Sequence, residues 1–279
     1  MKYILLTVLA LGVLLCLGAL LARLFEKATR GTWTTRRRIA LSAVFGIVIA
    51  LGAMAVYFGM YYPAGASAQR ALASDGDVEV RNVEEGLLFD GKGKSAALVF
   101  FPGAKVQTEA YAPLMRRIAE GGVDCVLVDP PLRMAIFGVS QGKQALDELE
   151  YEHWVVGGHS LGGVAAGSLA ADAGEKVEGL VLLASYPTAE LDPDLALLSI
   201  YGSEDSVLEA GAYDDGKAFW PAGARELVIK GGNHAGFGDY GAQSGDGTAT
   251  ITAQDQQEQT AQAVIDFAQG LEAPGSTSS

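Results

Sequence analysis

The stretch His153-Trp154-Val155-Val156-Gly157-Gly158-His159-Ser160-Leu161-Gly162-Gly163 decides the fold. A short apolar run predicts a strand over His153 to Val156. It enters a glycine cluster, and an alanine-rich segment beyond predicts a helix to about Ala173. Gly158 and Gly162 flank Ser160 two residues away on either side. A strand that turns abruptly into a helix brings the two elements very close. The flanking positions must then lack side chains, and the central serine is lifted above the sheet edge on a strained turn. The helix N-terminus that follows adds a field favourable to negative charge. A plain glycine-rich turn has the same composition, but the strand before and the helix after supply the setting a nucleophile needs.

Outward from this turn, strands and helices alternate. Upstream, Val78 to Val83 and Gly86 to Phe89 read as a hairpin, and Ala96 to Phe101 and Val123 to Val128 as apolar strands, the first buried on both faces. Thr108 opens a helix to about Glu120, with Tyr111, Leu114, Met115 and Ile118 at helical spacing. Ser140 opens a shorter one through Leu149. Downstream come strands at Val177 to Ala184, Leu195 to Tyr201 and Glu226 to Lys230. Thr252 and Asp255 make a capping-box pattern before a helix through about Phe267. This order predicts a mostly parallel sheet flanked by helices on both faces. Right-handed crossovers then gather the loops after the strand C-termini along one edge. The stretch Ser185 to Asp194 between two of these strands is short.

A serine hydroxyl needs a base, and the chain has three histidines. His159 adjoins Ser160 on the same turn and cannot readily reach it. His153 begins the strand, about 20 Å from the turn at ~3.3 Å per residue. His234 lies in the loop Gly231 to Gly238, past the last strand and on the same edge as Ser160. The acid that orients the imidazole follows a strand end between Ser160 and His234 in chain order. Asp205 fits, with Glu204 as its nearest rival, while Asp192, Asp194, Asp214 and Asp215 read as solvated loop carboxylates. Two backbone donors must hold an oxyanion. Leu161 N–H is one, and Ala104 N–H, freed by the turn at Gly103, is the other. Lys105 is left either at the site or in solvent. Asp239 and Asp246 fall in a polar glycine-rich loop and read as turn residues.

Phe101-Pro102-Gly103-Ala104, Gly158-His159-Ser160-Leu161-Gly162, Gly202-Ser203-Glu204-Asp205 and Gly232-Asn233-His234 stand in order, each at a strand end. On these pieces the chain from Val78 to Phe267 resembles the α/β-hydrolase superfamily, in particular small bacterial members related to dienelactone hydrolases. The resemblance implies an α/β-hydrolase fold, a Ser160–His234–Asp205 triad and an acyl-enzyme mechanism. Two pieces depart from relatives: Phe-Pro-Gly replaces His-Gly in the oxyanion loop, and serine replaces the cysteine of dienelactone hydrolases proper. Serine, histidine and aspartate suffice for the chemistry, so no cofactor or metal is expected. The expected partner is a small-molecule or lipid-like acyl substrate. Hydrolysis of an ester is the leading expectation, with acyl transfer by the same triad and a catalytically silent binding protein as alternatives.

The first sixty residues are of another kind. Tyr3 to Ala22 and Ile39 to about Tyr62 are apolar runs, each long enough to cross ~30 Å of hydrocarbon. They predict an anchor of two transmembrane helices over residues 1–63, then a linker over 64–77, a hydrolase domain over 78–271 and a frayed tail over 272–279. A cleaved signal peptide competes for the first run, without a convincing cleavage site. Six basic residues between Arg23 and Arg38 point that loop to the cytoplasm and place the domain on the extracytoplasmic side of the cell membrane. Net charge is −13; residues 1–38 carry +6, so the remainder carries −19. That acidity argues against nucleic acid as a partner and against the domain lying flat on anionic lipid. Cys16 and Cys125 fall in separate apolar elements and form no disulfide framework.

Overall fold

In a computed structural model describing residues 2–29, 33–93 and 95–272, the chain divides into two units at Met60/Tyr61. The first unit is a helical hairpin of α1 (Lys2–Ala28) and α2 (Thr35–Gly59). The helices approach closely at Gly18, where a Cβ would stand 2.3 Å from the Ser42 carbonyl oxygen, so only glycine fits. Thr34 caps α2, and Glu26 ties the hairpin together beside its connecting loop through a two-pronged contact with Arg38.

Two spanning helices are expected from the sequence; among the described residues one helix is long and apolar enough to cross a bilayer, α2. Side chains of α1 are described only from Val13 onward. From there to Ala22 a helix rises ~15 Å, half a hydrocarbon core. The first span is therefore not shown.

The second unit is built on one eight-stranded sheet of order β1-β2-β4-β3-β5-β6-β7-β8. Its strands are β1 (Glu79–Val83), β2 (Gly86–Asp90), β3 (Ala96–Phe101), β4 (Asp124–Val128), β5 (His153–His159), β6 (Gly179–Leu183), β7 (Ala196–Gly202) and β8 (Arg225–Ile229). From β4 to β8 neighbours run parallel; β2 pairs antiparallel with both β1 and β4. Strand periodicity of two sorts the apolar residues into two layers. Leu98 and Phe100 of β3 face a layer with Tyr111, Leu114, Met115 and Ile118 around α4 (Ala112–Glu120) and Val264 and Phe267 of α8 (Ala253–Glu272). Ala97, Val99 and Phe101 face the other, with Ala145 and Leu146 of α5 (Val139–Glu148) and Ala165, Ala166 and Leu169 of α6 (Leu161–Ala173). Phe100 and Phe101 are fully buried on opposite sides, and each burial stabilises by roughly 1.5–3 kcal/mol. Thr252 and Asp255 cap α8 reciprocally: each accepts from the other's backbone N–H, at 3.0 and 3.2 Å.

Three elements differ from the sequence reading. Residues 64–77, read as a linker, carry α3 (Ala66–Ala71), whose Ala68 is fully buried and donates its N–H to the Asp239 carboxylate at 2.7 Å. A seventh helix, α7 (Ala210–Gly216), hides in Ala-Gly-Ala-Tyr-Asp-Asp-Gly, where Tyr213 supplies the one large buried side chain. β5 runs to His159, because Gly157 and Gly158 pair with β3 on one side and β6 on the other. The tail from residue 273 on and residues 30–32 of the basic loop lie outside the described residues.

Candidate active site

Ser160 joins β5 to α6 with φ +54° and ψ −122°, a conformation that an L-residue adopts at a cost of roughly 1–3 kcal/mol. The turn is held on three sides. Ser160 N–H donates to the Leu183 carbonyl of β6 at 2.9 Å, and the Ser160 carbonyl accepts from Gly163 N–H at 3.0 Å and from Ser185 Oγ at 2.7 Å. Both motif glycines sit where a Cβ has no room. At Gly158 it would stand 2.3 Å from the Gly162 main chain; at Gly162 it would stand 2.1 Å from the Phe101 carbonyl oxygen. Gly162→Ala is therefore expected to force α6 off the end of β3. A destabilisation of ~3 kcal/mol corresponds to a fall in Tm of roughly 6–12 °C for a domain of this size. Differential scanning calorimetry of the variant reads this directly.

Asp205 and His234, the acid and base expected from the sequence, come from the loops after β7 and β8. The Asp205 side chain is 1% exposed. Its Oδ1 accepts from Val207 and Leu208 N–H, both at 2.8 Å, which leaves Oδ2 for His234 Nδ1 at 2.8 Å. A carboxylate can only accept, so His234 carries its proton on Nδ1 and presents a lone pair at Nε2. Nε2 is buried and has no hydrogen-bond partner among the described residues. The structure thus joins Asp205 to His234. Ser160 lies next to His159, whose ring centroid is 4.5 Å from that of His234, without a Ser160–His234 hydrogen bond. Glu204 is exposed and accepts from Ser203 Oγ at 2.9 Å, so it takes no part in the pair. His153 lies at the far end of β5, against the Glu178 carboxylate at 3.0 Å.

On the opposite flank, Leu161 begins α6 and Ala104 follows Gly103 past β3. A helix's first N–H groups have no acceptor within the helix. Among the described residues neither the Leu161 nor the Ala104 N–H has an acceptor. Gly103 N–H is occupied, donating to Tyr111 Oη at 3.0 Å. Burial pushes the Tyr111 hydroxyl far above its ordinary range, so it remains protonated and donates to His159 Nδ1 at 2.7 Å. Burial, and then repulsion from His234 whenever that ring is protonated, hold His159 well below an ordinary histidine, so its ring stays neutral beside His234.

Sequence reasoning missed two supports. One is this Gly103–Tyr111–His159 chain, which links the oxyanion flank to the imidazole flank. The other is Asp246, read as a turn residue. Its Oδ1 accepts from His234 N–H at 3.2 Å, Gly247 N–H at 2.8 Å and Ser206 N–H at 3.4 Å, and its Oδ2 from Ala235 N–H at 2.8 Å. One carboxylate thereby fastens the Asp205 loop to the His234 loop. Asp246→Ala is expected to lower kcat ~10–100-fold with KM little changed, because a misplacement near 1 Å costs about that much. Asp246→Asn, which keeps an acceptor oxygen, should recover part of the loss in steady-state kinetics.

Among the described residues no cluster of histidine, cysteine or carboxylate side chains is arranged to hold a metal ion. Cys125 is buried, and burial pushes its thiol well above the ordinary range, so it takes no part in nucleophilic chemistry.

Two solved structures share the fold. TT1662 from Thermus thermophilus superposes with a TM-score of 0.52 at 16% identity, covering 70% of this chain and 99% of that one. Dienelactone hydrolase from Anabaena variabilis ATCC 29413 superposes with a TM-score of 0.51 at 16% identity, covering 70% and 98%. No curated protein matches the chain in sequence. Residues 97–258 match the model of the alpha/beta hydrolase family. That stretch takes in the sheet from β3 to β8, the serine turn and both loops of the acid–base pair, and with more than half of its length matched the chain belongs to the alpha/beta hydrolase family.

Proposed function

We propose that the protein is a membrane-anchored serine hydrolase that cleaves a carboxylic ester through an acyl-enzyme intermediate. The observation that carries this reading is the buried Asp205–His234 pair, 2.8 Å apart, beside a serine on a strained strand–helix turn. His234 Nε2 takes the proton of Ser160 Oγ as that oxygen attacks the acyl carbon. The developing oxyanion is held by the N–H groups of Leu161 and Ala104. Asp205 stabilises the imidazolium, which then protonates the leaving alcohol. Water, deprotonated by the same imidazole, releases the acid and restores Ser160. The fold's likeness to a dienelactone hydrolase favours a carboxylic ester over an amide as substrate.

The anchor rests on α2 and on the apolar sequence of α1, with six basic residues between Arg23 and Arg38 holding the connecting loop on the cytoplasmic side. Two spans then carry the catalytic domain outward. A series of 4-nitrophenyl esters of graded chain length, assayed on the full chain in detergent with and without an added alcohol, tests the reaction. Turnover with release of free acid supports hydrolysis, and no turnover of any ester removes the reading. Protease added to right-side-out vesicles should digest the hydrolase domain. Survival of the domain until lysis inverts the topology.

A further inference from the structure

Among the described residues, the five non-glycine positions with left-handed φ are Lys105, Leu132, Arg133, Ser160 and Ala184, and each follows the C-terminal end of a strand on the Ser160 edge. Two of them are consecutive, in the loop after β4. That loop touches the residue after Ala104 and the helix that Leu161 begins. Lys105, next to Ala104, donates its N–H to the Arg133 carbonyl at 2.8 Å, and the turn Ala135–Phe137 packs against α6, which Leu161 begins. Yet its apolar side chains turn outward: Leu132, Ile136 and Phe137 are 52, 48 and 49% exposed. A strained loop that spends its large apolar residues on solvent marks a contact surface.

The covalent path of the chain says what that surface meets. α2 ends at Gly59, and by Tyr62 the chain is already hydrogen-bonded into the catalytic fold. Tyr62 N–H donates to the Lys105 carbonyl at 2.8 Å, and Gln107 N–H donates to the Tyr62 carbonyl at 2.9 Å. Tyr61 lies beneath the Arg133 guanidinium, 3.7 Å from its ring centroid. The loop that carries Ala104 is therefore joined to the chain three residues after the last residue of the apolar helix.

We infer that Leu132, Ile136 and Phe137 dip into the lipid surface in which α2 is anchored, and that the substrate is an ester resident in that surface, its acyl chain entering Ser160 from the membrane side. This rests on the anchored-esterase reading above. The domain's acidic charge does not oppose it, because the contact is an apolar loop tip flanked by Arg133 and Lys105 rather than a flat charged face.

The test uses the full chain reconstituted in phosphatidylcholine vesicles. Two substrates are compared, 4-nitrophenyl acetate in solution and 4-nitrophenyl palmitate in the bilayer. Simultaneous Leu132→Gln, Ile136→Gln and Phe137→Gln should lower kcat/KM for the palmitate at least tenfold and leave the acetate within twofold. Equal loss on both, or no loss on the palmitate, overturns the inference. A Phe137→Trp variant gives a second reading that needs no turnover. Vesicles with brominated acyl chains should quench at least half of the added fluorescence. Absence of quenching, or a self-association that these residues control, overturns lipid as the occupant. Should the unmodified protein cleave neither ester, the esterase reading falls while the quenching still decides the docking.

Discussion

Ser160→Ala is expected to lower esterase turnover on the order of 10⁴-fold or more, and to abolish covalent labelling by a fluorophosphonate probe. The oxygen removed is the atom proposed to attack, so no neighbouring group substitutes for it. Residual rate above water would come from the two backbone N–H groups and from substrate binding alone. The variant keeps the fold, because the hydrogen bonds that hold the turn run through the Ser160 backbone and not through its hydroxyl. Circular dichroism and Tm should therefore stay near those of the unmodified protein while labelling disappears. Labelling of another serine at an unchanged rate would remove Ser160 from the role.

His234→Ala should cost as much as Ser160→Ala, and the double variant no more than either, since the members of the unit act together. Asp205→Asn should reduce kcat by about 10⁴-fold for a different reason. Val207 and Leu208 N–H groups fix one side-chain oxygen, so an amide nitrogen would be turned toward His234 Nδ1. Two donors cannot pair. The imidazole would then shift its proton to Nε2 and lose the lone pair that takes the serine proton. His153→Ala is the control. His153 sits against Glu178 at the other end of the sheet, and its loss should leave kcat unchanged. Activity that survives in His234→Ala but not in His153→Ala would reverse the assignment.

Much of this architecture can be read from local pattern. Continuous apolar runs locate β3, β4, β6 and β7 within a residue or two, because strands buried on both faces leave no alternation to confuse with a helix. The serine turn is legible because close packing of strand on helix admits only glycine at Gly158 and Gly162. Contacts between distant segments are not legible in the same way. The antiparallel seam between β2 and β4 depends on residues 36 to 42 apart, and nothing in either strand names its partner. Tyr111 and His159 are 48 residues apart, and each reads alone as a helix or turn residue. Asp246 sits twelve residues past His234 in a polar, glycine-rich stretch whose composition is that of any surface loop. The choice between Glu204 and Asp205 needs the fold as well. Adjacent carboxylates are equivalent in sequence, and the two N–H groups of Val207 and Leu208 select the second.

The backbone of Ser160 has a consequence for how this protein can be made more robust. At φ +54° and ψ −122° it lies outside even the left-handed helical well, in a region that glycine alone enters freely. Thermal stability and turnover therefore pull against each other at one position. Ser160→Gly should melt ~2–4 °C above Ser160→Ala, about 1 kcal/mol, once the greater flexibility of unfolded glycine is set against the relieved strain. A screen that selects this chain for heat resistance alone would then favour glycine at the residue proposed as the nucleophile, and so discard the enzyme while improving the fold.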